Sequence, residues 1–160
     1  MTNPKMLFTD GSVDALLKIG YGAYMFVDED ELPIDPKGVQ VKVKRFEDTS
    51  STKLELQTLI WALTEIGLAG KKVLVYTDSQ NIIGLPARRD QLEKNDYHSR
   101  RNELLNNHEL YRELFKIMDR MDCQLIKVKG HLSSSQKGDI DKLFARVDRA
   151  SRKALRETNK

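Results

Sequence analysis

The sequence predicts a mixed α/β fold, in which helices pack on a sheet whose later strands run parallel to the first. Strand-like and helix-like periods succeed one another in the order three strands, helix, strand, helices, strand and helix. The run Lys72 to Thr77 (Lys-Val-Leu-Val-Tyr-Thr) is almost wholly apolar, as a strand covered on both faces should be. With 160 residues the chain has material for one hydrophobic core, so a single domain over residues 1–160 is expected.

Each element has its own signal. Lys5 to Thr9 reads as the first strand and Gly20 to Val27 as the second, with residues 11–19 as their connection. Residues 28–38, with Pro33, Pro36 and five acidic side chains, read as a turn. Val39, Val41 and Val43 then alternate with Gln40, Lys42 and Lys44, the pattern of a half-buried strand completing a meander. From Thr52 to Leu68 the apolar residues fall at helical spacing. A short helix from Ser79 should stop before Pro86, and a polar stretch should run on to Asn107. Glu109 to Met121 reads as a helix, Cys123 to Lys129 as the last strand and Asp139 to Arg156 as the final helix.

Hydrophobic residues at 39% and charged residues at 32% describe an ordinary globular chain. No apolar run approaches the roughly 20 residues of a membrane span, so no membrane partner is expected. The N-terminus lacks a leader pattern, which makes a cytoplasmic location the default expectation, and a monomer is the default for an oligomeric state the sequence leaves open. The single cysteine, Cys123, has no second thiol for a disulfide or a zinc site and reads as a small buried hydrophobe. Charge is uneven: residues 1–85 carry 9 basic and 12 acidic side chains, residues 86–160 carry 18 and 12. An acidic site beside a basic track would produce that asymmetry, as would a mixed solvated surface.

Two strands end alike, in Phe8-Thr9-Asp10-Gly11-Ser12 and Tyr76-Thr77-Asp78-Ser79-Gln80. In α/β sheets chemistry gathers at the carboxyl ends of neighbouring strands. Two aspartates brought together there favour a divalent cation between them. Asp10 also reads as a turn former before glycine, and Asp78 as the N-cap of the helix beginning at Ser79. Glu55 lies on the stripe formed with Thr58, Leu59, Ala62, Leu63 and Ile66, so its carboxylate points toward the core. Thr52-Lys53-Leu54-Glu55 equally fits a capping box.

In order and spacing, five segments resemble the type 1 ribonuclease H family: Thr9-Asp10-Gly11-Ser12, Gly20-Tyr21-Gly22-Ala23, Leu54-Glu55-Leu56, Thr77-Asp78-Ser79-Gln80 and Val128-Lys129-Gly130-His131. The resemblance implies a five-stranded mixed sheet in order 3-2-1-4-5 with helices on both faces. It also implies an endonuclease that cuts the RNA strand of RNA/DNA hybrids with two magnesium or manganese ions held by four carboxylates. Asp10 matches the carboxylate that bridges the ions, and Glu55 and Asp78 match those that complete one of them. His131 matches a histidine that assists proton transfer and product release. The fourth carboxylate has two candidates. Asp141 fits the ten-residue spacing after the histidine, but Asp148 fits the local pattern better, because Ser151 is small where the other register puts Phe144. Asp148 is the preferred assignment. The two lie seven residues apart on one helix face, about 10 Å by helix rise, so only one should reach the ions.

Arg88, Arg89, Arg100 and Arg101 lie where members of this family carry a basic handle for the hybrid, although the tryptophans common there are absent and the only one, Trp61, is in the first helix. Lys142, Arg146, Arg149, Lys153 and Arg156 form a stripe on the final helix that suits either a track for a nucleic-acid backbone or, the preferred reading, the helix's solvated side. Two regions that touch the RNA 2′-hydroxyls in the family depart from its pattern: residues 13–19 lack the usual glycines, and Ser51 and Thr52 replace an asparagine. Ser12, Ser51, Thr52 and Gln80 supply hydrogen-bonding groups in their stead. The competing readings are a catalytically silent nucleic-acid-binding module and another metal nuclease of the same fold.

Overall fold

The computed structural model of the chain describes residues 4–28, 35–67, 70–129 and 138–158. Strands β1 (Lys5–Asp14), β2 (Ile19–Asp28) and β3 (Val41–Glu47) form the opening meander, with a short 3-10 turn at Pro36–Gly38. Helix α1 (Ser51–Ile66), strand β4 (Lys72–Thr77), helices α2 (Gln80–Ile83), α3 (Leu85–Lys94) and α4 (His108–Asp119), strand β5 (Asp122–Lys127) and helix α5 (Asp139–Thr158) follow. The sheet order is β3-β2-β1-β4-β5. β1 is antiparallel to β2 and parallel to β4, and β4 is parallel to β5. This is the mixed sheet that the sequence predicts.

Alternation along the strands divides two apolar clusters between the sheet faces. Leu7, Val73 and Val75 join Leu56, Leu59, Leu63, Leu114 and Phe115 beneath α1 and α4. Met6, Phe8, Met25 and Tyr76 join Leu143, Phe144 and Val147 beneath α5. Cys123 packs against the first cluster, and burial pushes its thiol up to about 12.

Three boundaries differ from the sequence reading. β1 continues through Asp14 and pairs with β2 as far as Asp14↔Ile19, so Gly11 to Asp14 are strand rather than connection and Asp10 is no turn former. α3 occupies the start of the expected polar stretch. No apolar period marks it, because only Leu85 is buried, and its proline is tolerated in a first turn whose N–H groups lack helical partners. α1 begins after Ser50, whose Oγ accepts from the Lys53 amide. Thr52 is therefore not the N-cap, and the capping-box role of Glu55 lapses.

α1 lies unusually close to β1 and β2 because glycines face it. A Cβ added at Gly22 would fall 2.2 Å from Thr58 Oγ1, and one at Gly11 would fall 2.9 Å from Leu54 Cδ2. No helix among the described residues is long and apolar enough to cross a membrane.

Candidate active site

Register alone brings two carboxylates together. Phe8 pairs with Tyr76 across the parallel β1/β4 ladder, and their rings stack with centroids 4.9 Å apart. Two residues further along each chain, on the same α5-facing side, come Asp10 and Asp78. β4 ends at Thr77, whereas β1 runs on with β2 alone, so both aspartates sit where the parallel strands part. The N-cap of α2 is Ser79, not Asp78: Ser79 Oγ accepts from the Ile82 amide.

α5 brings Asp148 within hydrogen-bonding reach of Asp10. Asp141 is two turns away, its Oδ2 accepting from the Gly138 amide at the start of the helix. Glu55 comes from the opposite face of the sheet. Its Oε2 accepts from Ser79 Oγ at 2.6 Å, so one hydroxyl both caps α2 and orients the glutamate. Thr9, Asp10, Gly11, Glu55, Thr58, Thr77, Asp78 and Ser79 line one small cleft.

Burial, with Asp78 and Asp148 alongside, pushes Asp10 up to about 8 against the pull of the Gly11 amide. Burial and the charge of Asp78 raise Glu55, partly offset by the Ser79 hydroxyl. Among the described residues no three His, Cys, Asp or Glu side chains are gathered closely enough to form a ready cage for a metal ion. The donor set nevertheless suits a hard divalent cation, being all carboxylate and gathered around one group that burial and like charge hold toward its protonated form. A cation among these carboxylates would relieve that repulsion.

The expected substrate residues divide into engaged and open groups. Ser12 Oγ is 3.0 Å from Ser151 Oγ, and Gln80 Oε1 accepts from Lys127 Nζ at 2.7 Å. Arg88 donates to the Asn81 carbonyl and to its Oδ1. Arg89 forks onto both Asp119 oxygens at 2.6 and 2.8 Å, bonds Glu93 and lies over the Phe115 ring, so its role in this structure is to tie α3 to α4. Ser51 is exposed and Thr52 half-buried in the first turn of α1. Arg100 and Arg101 are exposed at the tip of a loop closed by the His98↔Leu104 bridge and the Ser99 N to Glu103 O bond. His131 lies outside the described residues.

Sequence reading missed Thr58, Ser151 and Lys127, together with the double role of Ser79. Thr58 was visible on the Glu55 stripe, and its Oγ1 is buried at the cleft without a partner. The partners of Ser151 and Lys127 are distant in sequence and carry no local signal.

A 3-2-1-4-5 sheet whose acidic cluster sits where β1 and β4 separate defines an α/β protein built around a carboxylate site at its strand ends. The chain belongs to the RNase H family, whose model matches residues 2–154. It is 28% identical over 110 residues to a ribonuclease H of Caldicellulosiruptor saccharolyticus, a match covering 67% of this chain and 75% of the relative. The solution structure of the PFV RNase H domain superposes with a TM-score of 0.73 at 15% identity, covering 96% of this chain and 94% of that one. A foamy viral protease-reverse transcriptase in complex with dsDNA gives 0.65 at 14%, covering 93% and 94%. At such identities these two structures establish the fold.

Proposed function

We propose that the protein is an endonuclease that hydrolyses the RNA strand of RNA/DNA hybrids, with Asp10, Glu55, Asp78 and Asp148 holding two magnesium or manganese ions. The observation that carries this reading is the convergence of Asp78 and Asp148 on the buried carboxyl of Asp10, with Glu55 drawn in by Ser79. Membership of the RNase H family supports the reaction class. When bound, such ions supply an activated water and neutralise charge at the scissile phosphate. The chain's own part is to keep the carboxylates fixed and partly desolvated: Asp10 and Asp78 are carried by the sheet, Glu55 by α1 and Asp148 by α5. In this reading Ser51 and Thr52 meet the RNA strand, and Arg100 and Arg101 the backbone of the duplex. His131 is assigned to proton transfer at the leaving side.

The test is cleavage of a uniformly labelled RNA/DNA hybrid with either metal, beside single-stranded RNA and DNA duplex controls. Hybrid-specific internal cuts that disappear in Asp10→Asn are expected. Retained hybrid binding without any cleavage would replace the enzyme with a silent binding module, and equal cutting of all substrates would point to another nuclease of this fold.

A further inference from the structure

The fold holds Asp148 by more than hydrophobic packing. Asp10 and Ser12 are two residues apart on β1, about 6.6 Å along the strand, and project from the same face. Asp148 and Ser151 are three apart on α5, about 4.5 Å along its axis, and share the face turned to the sheet. Strand and helix therefore meet in two rungs, Asp10 with Asp148 and Ser12 with Ser151. A third lies beyond them, where the hydroxyl of Tyr21, the β2 residue paired with Ser12, meets the hydroxyl of Thr158.

Proton counting links the middle rung to the backbone of α5. Ser151 Oγ lies 3.1 Å from the Asp148 carbonyl and 3.0 Å from Ser12 Oγ, and in the arrangement that satisfies both contacts Ser151 donates to the carbonyl while Ser12 donates to Ser151. The chain of bonds runs from β1 to the backbone of the residue whose carboxyl faces Asp10. Ser151 is wholly buried, with no solvent to replace either partner.

We infer that Ser151 is a positioning residue, and that its bonds to Ser12 and to the Asp148 carbonyl set the depth and rotation at which α5 presents Asp148 to the active site. This deepens the nuclease reading and rests on it for its kinetic readout. It also reassigns Ser12, whose hydroxyl serves α5 rather than the substrate.

The experiment compares wild type, Ser12→Ala, Ser151→Ala and the double variant in hybrid cleavage, with kcat, KM and the magnesium concentration at half-maximal rate measured for each. Each single variant should lower kcat about tenfold and raise the magnesium requirement several-fold, with KM unchanged within about twofold and folding retained by circular dichroism. The double variant should be no worse than the poorer single, because both remove the same rung. Independent, multiplying losses would overturn the inference. So would full activity of Ser151→Ala, or a rise in KM confined to Ser12→Ala. If the wild type cleaves nothing, the nuclease reading fails, and crystal structures of wild type and Ser151→Ala judge the rung by themselves. Separation of Asp148 from Asp10 in the variant sustains it, and an unmoved carboxyl refutes it.

Discussion

Gly22→Ala tests the closeness of α1 to the sheet. The new methyl would lie 2.2 Å from Thr58 Oγ1, 2.9 Å from its Cγ2 and 3.0 Å from its Cβ, where ordinary contact begins at 3.4 Å. Turning the Thr58 β-hydrogen toward the new methyl would remove the 2.2 Å contact, but no rotation moves its Cβ, at 3.0 Å. α1 must therefore retreat by about 0.4 Å for the Cβ contact, and by up to about 1.2 Å where Thr58 keeps its rotamer, against the packing of Leu56, Leu59 and Leu63 on the sheet. Overpacking of this kind costs about 1–3 kcal/mol. For a chain of this length that corresponds to a fall in Tm of about 2–12 °C, readable by circular dichroism. Thr58→Ala alone should change stability by less than about 1 kcal/mol, since the hydroxyl it removes is buried without a partner. Combined with Gly22→Ala it should recover about 1 kcal/mol as coupling, the Cβ contact at 3.0 Å remaining. Glu55 lies one turn before Thr58, so Gly22→Ala should also draw it from Ser79 and depress cleavage in protein that remains folded. A Gly22→Ala protein melting within about 1 °C of wild type, or strictly additive effects in the double variant, would refute the steric argument.

Because Asp10 is raised to about 8, the folded state binds its proton more tightly than the unfolded chain does. In divalent-free buffer its stabilising contribution should be complete below about pH 4 and lost as pH rises toward 8, by about 1.4 kcal/mol per unit at most. Asp10→Asn should flatten that loss in urea titrations, and any stabilisation of the wild type by added magnesium should be lost with it; an unchanged pH dependence would contradict the assigned burial. Asp148→Asn should lower hybrid cleavage at least about a hundredfold, whereas Asp141→Asn, whose carboxylate only caps α5, should stay within about fivefold of wild type. Arg89→Ala should lower Tm by a few degrees through loss of the Asp119 fork and the Phe115 contact, with little change in hybrid affinity. Arg100→Ala with Arg101→Ala should do the reverse and flatten the salt dependence of binding by about one to two units of slope.

The sheet was legible because its strands carry period-two or wholly apolar patterns, and α5 because its apolar residues recur at helical spacing. α3 was illegible for the opposite reason, with a single buried residue in ten. The acidic residues were legible as strand-end aspartates and as a glutamate on an apolar stripe. Their alternative local roles turned on shifts of one or two residues. Moving the N-cap from Thr52 to Ser50 takes Glu55 past the capping position, and moving the next cap from Asp78 to Ser79 gives capping to the serine. Hydrogen-bond partners far away in sequence were not legible at all. Composition marks Arg89 as a cation but does not reveal Asp119 thirty residues later, and marks Ser12 as polar without revealing Ser151.

These distant partners explain how the site is divided mechanically. Asp10 lies in β1 and Asp78 directly follows β4, so their relation is kept through the β1/β4 register, which neither α1 nor α5 controls directly. Glu55 depends on the core beneath α1, and Asp148 on the core beneath α5, two clusters separated by the sheet itself. A packing defect under α1 should therefore disturb Glu55 while sparing Asp148, and a defect under α5 should do the converse. Gly22→Ala and Ser151→Ala fall on opposite sides of this division. Their losses of cleavage should multiply where those of Ser12→Ala and Ser151→Ala should not.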